Sequence, residues 1–169
     1  MRVYLVRHAT AEDPAGKDDA SRRLIDRGRE EARRAGRALR ALGAHVGVVF
    51  SSPLARARET AELLAAELSS CVPVRECERL ACGATPEAFR EVLAQAADAG
   101  EVVVVAHQPD LGRFVAELLA LGPEAHVPFR PSSVYALEIS VPEGRAKLLW
   151  RKHPDELADA AQGGAAGGS

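Results

Sequence analysis

Short apolar runs alternate with longer amphipathic stretches along this chain, which is the pattern of strands exchanging with helices. Arg2 to Val6 is a run of β-formers that stops at Arg7-His8. A polar loop rich in Asp, Gly and Lys (Glu12 to Ser21) leads to a helical pattern near Asp26. There Ala32, Ala35, Gly36, Leu39 and Leu42 recur at helical spacing, with Arg and Glu on the other face and Gly43 as the stop. Val46 to Phe50 predicts a second strand. Ser51-Ser52-Pro53 predicts the start of a second helix, since serine caps well and proline fits a first turn. Its apolar stripe is Leu54, Ala57, Ala61, Leu64, Ala65 and Leu68.

A short strand is expected around Val72 to Arg75, then a loop through Cys77-Glu78-Arg79-Leu80. Thr85-Pro86-Glu87 predicts a third helix running to about Ala99 and ended by Gly100. Val102 to Ala106, four valines and an alanine, reads as a strand covered on both faces. His107 follows it directly, and Asp110 to Leu121 is a further helix ended by Gly122-Pro123. Val134 to Val141 and Ala146 to Arg151, separated by Pro142-Glu143-Gly144, read as a hairpin. Together these predict an α/β domain of three layers over residues 1–157, with a mostly parallel, mixed central sheet flanked by helices. Residues 158–169 are nearly all Ala, Gly and Ser and are expected to be a disordered tail.

Composition narrows the picture. The chain has 169 residues, 47% hydrophobic and 27% charged, as expected of one globular core. Only 4% are aromatic, so Ala, Val and Leu must fill the interior and the helices must pack closely. A formal net charge of -2 argues against a polyanion binder, and neither nucleic acid nor membrane is expected as a partner. The first apolar run is too short to span a bilayer, and a cytoplasmic location is expected. Cys71, Cys77 and Cys82 have no metal-ligand or disulfide spacing and read as free thiols. No Gly-rich dinucleotide or Walker segment follows any strand, which argues against nucleotide or hydride chemistry.

Three predicted strands end in reactive residues. The first delivers Arg7 and His8, the second Ser51, Ser52 and, one helical turn on, Arg56, and the buried valine strand delivers His107. Ligands of open α/β sheets bind outside the carboxyl ends of the strands, so these groups should meet on one rim. Two guanidiniums and two imidazoles suit a dianionic phosphoryl group, because arginine presents a planar fork to phosphate oxygens. A neutral imidazole is also a competent nucleophile near pH 7, and a second, protonated one can neutralise charge. His45, His126 and His153 fall outside this set and read as surface or structural residues, while Arg33, Arg34, Arg37 and Arg40 read as the wet face of a helix.

The same residues resemble a known family. Leu5-Val6-Arg7-His8-Ala9 is similar to the Arg-His-Gly signature of the histidine phosphatase superfamily, also called phosphoglycerate mutase-like. Ser51 to Thr60 resembles its S-x-x-x-R-A-x-x-T segment, Val104-Val105-Ala106-His107 the strand with the second histidine, and Leu24 to Ala32 the L-T-x-x-G-x-x-Q-A segment. The resemblance implies the phosphoglycerate mutase-like fold, His8 as a nucleophile forming a phosphohistidine intermediate, and Arg7, Arg56 and His107 as phosphoryl ligands. It implies neither metal nor cofactor, and Asp18-Asp19 lacks partners spaced to build a metal cage.

Compact length and the loop Glu78-Arg79-Leu80-Ala81-Cys82-Gly83 most resemble SixA-type phosphohistidine phosphatases. That likeness implies a phosphohistidine on a protein as substrate, with Glu78 as the acid by position alone. A phosphatase of a small phosphorylated metabolite and a non-catalytic phosphate-binding adaptor are the competing readings. Three positions depart from the pattern: Ala9 stands for glycine and is expected at an ordinary φ, Ile25 for threonine, and Thr10 where SixA-type chains often carry an acid.

Overall fold

The computed structural model describes residues 1–16, 18–68, 72–122, 124–140 and 145–157. Six strands form one sheet: β1 (Arg2–Arg7), β2 (Val46–Ser51), β3 (Val74–Glu76), β4 (Glu101–Ala106), β5 (Val134–Ser140) and β6 (Arg145–Lys152). Among the described residues, the helices packed with them are α1 (Asp26–Ala41), α2 (Ala55–Leu68), α3 (Pro86–Ala94) and α4 (Asp110–Leu118). The strand order is β3-β2-β4-β1-β5-β6. β3, β2, β4 and β1 pair in parallel, while β5 joins β1 and β6 joins β5 antiparallel. This is the mixed, mostly parallel sheet expected from the sequence.

Strand alternation sends side chains to two apolar layers. Val3, Leu5, Phe50, Val102, Val104 and Leu137 meet Phe89, Val92, Leu111 and Phe114 of α3 and α4 on one face. Tyr4, Val6, Val49, Val103, Val105 and Ala136 meet Ala35, Leu39, Ala57, Ala61 and Leu64 of α1 and α2 on the other. Every residue of β4 from Val102 to Ala106 is fully buried, which explains why its sequence does not alternate. Small residues bring α1 against α2: a Cβ at Gly36 would lie 2.4 Å from the Leu64 carbonyl oxygen.

Three helix boundaries differ from the sequence expectation. α2 starts at Ala55 rather than Pro53, because the Leu54 carbonyl receives the first helical N–H groups, from Ala57 and Arg58. α3 stops at Ala94, since the Gln95 N–H turns back to the carbonyls of Val92 and Leu93. α4 stops at Leu118, before Ala120 takes a left-handed φ of 52°. The expected turn Pro142-Glu143-Gly144, the expected strand end at Val141, the tail 158–169 and Cys71 lie outside the described residues, and Cys77 and Cys82 are free thiols. No helix among the described residues is long and apolar enough to cross a membrane.

Candidate active site

Register places the reactive residues together. β4 lies between β2 and β1, and Ala106 pairs with Arg7 as Val105 pairs with Ser51. The ladder continues one step past the strands, with the N–H of His8 bonded to the Ala106 carbonyl and that of Ser52 to the Val105 carbonyl. His8, Ser52 and His107 therefore leave three adjacent strands at one level. The rings of His8 and His107 stand 5.2 Å apart, centroid to centroid, at 52°.

His8 is oriented from both sides. Its Nδ1 lies 2.9 Å from the Ala9 carbonyl oxygen, which can only accept, so Nδ1 carries the proton and Nε2 keeps its lone pair. The Arg56 Nε–H points at that lone pair from 3.4 Å. Burial first, then the neighbouring His107, Arg56 and Arg7, push the His8 pKa down to about 3, against the Ala9 bond that raises it. The imidazole is therefore neutral at pH 7. Ala9 has an ordinary φ and is fully buried, and its N–H bonds the Thr60 hydroxyl at 3.0 Å, itself a donor to the Arg56 carbonyl at 2.7 Å. Thr60 thus ties the loop carrying the nucleophile to the helix carrying Arg56.

Both arginines approach the imidazoles. Arg7 Nη1 donates to the Phe129 carbonyl at 2.7 Å, while its buried Nε has no partner among the described residues. Arg56 is 3% exposed and spends Nη1 on the Asp19 carbonyl (2.6 Å) and Nη2 on Asp19 Oδ2 (3.0 Å) and Cys82 Sγ (3.6 Å). Burial and the charge of Arg56 lower the Arg7 pKa, as expected of two cations sharing a pocket. His107 Nε2 lies 2.7 Å from the Ser52 hydroxyl, and its buried Nδ1 has no partner among the described residues. Its pKa is pulled down to about 4 by burial and then Arg56, so without a bound anion it too is neutral at pH 7.

Among the described residues, no hydrogen bond or ion pair links Glu78 to this cluster. It sits exposed on a 3-10 turn (Glu78–Leu80), and no described residue hydrogen-bonds its side chain. Asp19 joins the site without having been expected there, and Ser52, expected on the rim, takes a part that its position alone does not specify. Asp19, weighed only as a metal ligand, grips Arg56, and nothing in its polar loop betrays that reach. Ser52, read as a helix cap, does accept from the Leu54 N–H at 3.3 Å but also holds His107. A signal existed, because serine at a strand end beside two others bearing histidine is placed for a side-chain bond.

The motif around α1 also acquires a physical reason. Glu31 accepts from the Thr10 N–H (3.0 Å) and hydroxyl (2.8 Å), and a Cβ at Gly28 would fall 1.9 Å from the Thr10 carbonyl oxygen. Gly28 and Glu31 therefore clamp the segment just after His8. His153 bonds the Ser133 hydroxyl at 2.9 Å, whereas His45 and His126 are exposed.

Residues 3–81 match the family model of the histidine phosphatase superfamily (branch 1). An uncharacterized protein of Picosynechococcus sp. is 37% identical over 129 residues, 75% of this chain and 77% of that one. The protein histidine phosphatase SixA, solved with tungstate, superposes with a TM-score of 0.82 at 25% identity, over 93% of this chain and 99% of that one. A putative phosphohistidine phosphatase SixA from Nakamurella multipartitia gives 0.73 at 28% identity, over 91% and 97%.

Proposed function

Because this chain belongs to the histidine phosphatase superfamily and is SixA-like in structure, we propose that it hydrolyses phosphohistidine on a protein through a phosphorylated His8, without a metal. The observation that carries this reading is the neutral His8 imidazole, whose Nε2 lone pair faces the Arg56 guanidinium while Nδ1–H is held by Ala9. A phosphoryl group held there lies in front of a nucleophile that need not lose a proton first.

In the first step, Nε2 of His8 forms a bond to phosphorus. The bond to the leaving atom breaks, and its electron pair leaves with that atom. In the second, water attacks phosphorus, the Nε2–P bond returns its pair to His8, and phosphate departs. Arg7 and Arg56 neutralise the equatorial oxygens, supplying fixed positive charge where the transition state concentrates negative charge. His107 contributes through Nδ1–H when the Ser52 hydroxyl donates to its Nε2, which fixes the useful tautomer. An arriving dianion also raises the proton affinity of His107.

The test is rapid-quench capture of an acid-labile phosphoenzyme, with steady-state rates on a phosphohistidine protein and a panel of small phosphate esters. The expected outcome is a phosphoenzyme in the native chain and none in His8→Ala, with rates on the phosphohistidine protein far above those on the esters and unaffected by chelators. Arg56→Ala should cost about 3 kcal/mol of transition-state stabilisation. Near-normal turnover in His8→Ala would remove the covalent route. Binding without turnover would favour the adaptor, and a large preference for esters the metabolite phosphatase.

A further inference from the structure

A carboxylate in a phosphate clamp needs a reason. Asp19 lies on a 3-10 turn (Asp19–Ser21) in the loop between β1 and α1, and its Oδ2 sits 3.0 Å from Arg56 Nη2. Its Oδ1 accepts from Arg22 Nη1 at 2.8 Å. Arg22 is itself anchored through Nε to the Glu12 carbonyl at 2.8 Å, so the carboxylate is held from both sides. The side chain is 55% exposed, whereas that of Arg56 is 4% exposed, so Asp19 stands at the mouth of the pocket with the guanidinium between it and His8.

The bonds to Arg22 and Arg56 keep its pKa below the usual carboxylate range against partial burial. The groups around it are Arg22 on its own turn, Arg56 from α2, Cys82 from the loop before α3 and His107 at the end of β4. A carboxylate offers about four lone-pair positions, and the two arginines occupy two of them.

Such a charge works against any purely anionic substrate, since it weakens the attraction of the clamp for a dianion. It helps a substrate whose leaving group is cationic. A phosphorylated imidazole is such a substrate: its phosphoryl end is anionic, and its other ring nitrogen takes up a proton near neutral pH. With that nitrogen protonated, cleavage of the P–N bond returns the electron pair to the ring nitrogen and a neutral imidazole departs. Without the proton an imidazolate must leave, which is far less favourable.

We infer that Asp19 is a specificity residue that accepts a hydrogen bond from the remote ring N–H of the substrate imidazole and holds that ring protonated while His8 attacks phosphorus. The inference rests on the proposed phosphohistidine activity and gives the leaving group what an acid such as Glu78 was expected to give. The proton comes from solvent, sits on the substrate ring before the P–N bond breaks, and stays on the imidazole that leaves.

The test uses the full chain with two probes, phosphoimidazole and 4-nitrophenyl phosphate, whose nitrophenolate leaves without a proton. Asp19→Asn should lower the ratio of kcat/KM on phosphoimidazole to that on 4-nitrophenyl phosphate by about tenfold or more. It should also move the alkaline limb of kcat on phosphoimidazole to lower pH, because the bound ring loses the charge that kept it protonated. Asp19→Glu, which restores the charge, should recover part of the ratio. A ratio that stays within about threefold of the native value, or rises, overturns the inference and leaves Asp19 as a support for Arg56. Failure of the native enzyme to turn over phosphoimidazole or a phosphohistidine protein overturns the underlying function, a result separable from an unchanged ratio.

Discussion

Ser52 and His107 illustrate how one hydroxyl decides what an imidazole is able to offer. A neutral histidine has one N–H, and the bond made by one ring nitrogen sets the character of the other. Ser52 Oγ already accepts from Leu54, so its own proton is free to face His107 Nε2, 2.7 Å away. Ser52→Ala should therefore reduce kcat/KM about tenfold while leaving the phosphoenzyme detectable, and Ser52→Thr should restore most of the loss. Steady-state rates on a phosphohistidine protein check this, and an unchanged Ser52→Ala rate would show that His107 needs no such anchor. At this scale the sequence disclosed the reactive groups, because imidazole and guanidinium chemistry is carried by residue type. It did not disclose Asp19 or Ser52 in their working roles, since a carboxylate in a polar loop and a serine before a helix have ordinary uses that spacing alone does not separate.

Two helices finish in the same way with different residues. After α1, the Ala44 N–H bonds the Leu39 carbonyl and the Gly43 N–H that of Arg40, with Gly43 at φ 77°. After α4, the Leu121 N–H bonds the Ala116 carbonyl and the Ala120 N–H that of Glu117, with Ala120 at φ 52°. Both are Schellman ends, which place a left-handed residue where glycine is favoured. Ala120→Gly should raise stability by roughly 0.5–1 kcal/mol, read as a higher urea midpoint, while Gly43→Ala should lower it. Equal midpoints for native and Ala120→Gly chains would mean that the alanine carries no strain there. This is also why the sequence placed the end of α4 too late: Gly122 looked like the stop, but the turn was already made at an alanine. The strands were read more accurately than the helix ends, because a buried strand shows itself by composition, as β4 does, whereas a helix end depends on a few backbone bonds.

Burying two histidines at the heart of the molecule makes its stability depend on pH. In the unfolded chain both titrate near 6.5, whereas folding lowers His8 to about 3 and His107 to about 4. Below 6.5 the unfolded chain therefore binds protons that the folded chain refuses. Stability is whole above that value and falls as the pH drops, until the folded values near 4 and 3 are reached. Each histidine contributes up to ~1.4 kcal/mol per pH unit in its window. Urea midpoints between about pH 7 and 4.5 should fall less steeply for His107→Asn than for the native chain, and parallel profiles would refute the assignment.

The order of the strands has a consequence for how the enzyme comes into being. β4 separates β1 from β2 in the sheet, yet it is made after both of them. Residues 1–100, made before β4, thus hold His8 and Arg56 without the strand that bridges theirs. Catalytic competence must arrive abruptly, when the valine segment threads into the middle and carries its histidine with it. A nascent chain halted before that point should be inert, however well its early helices have formed.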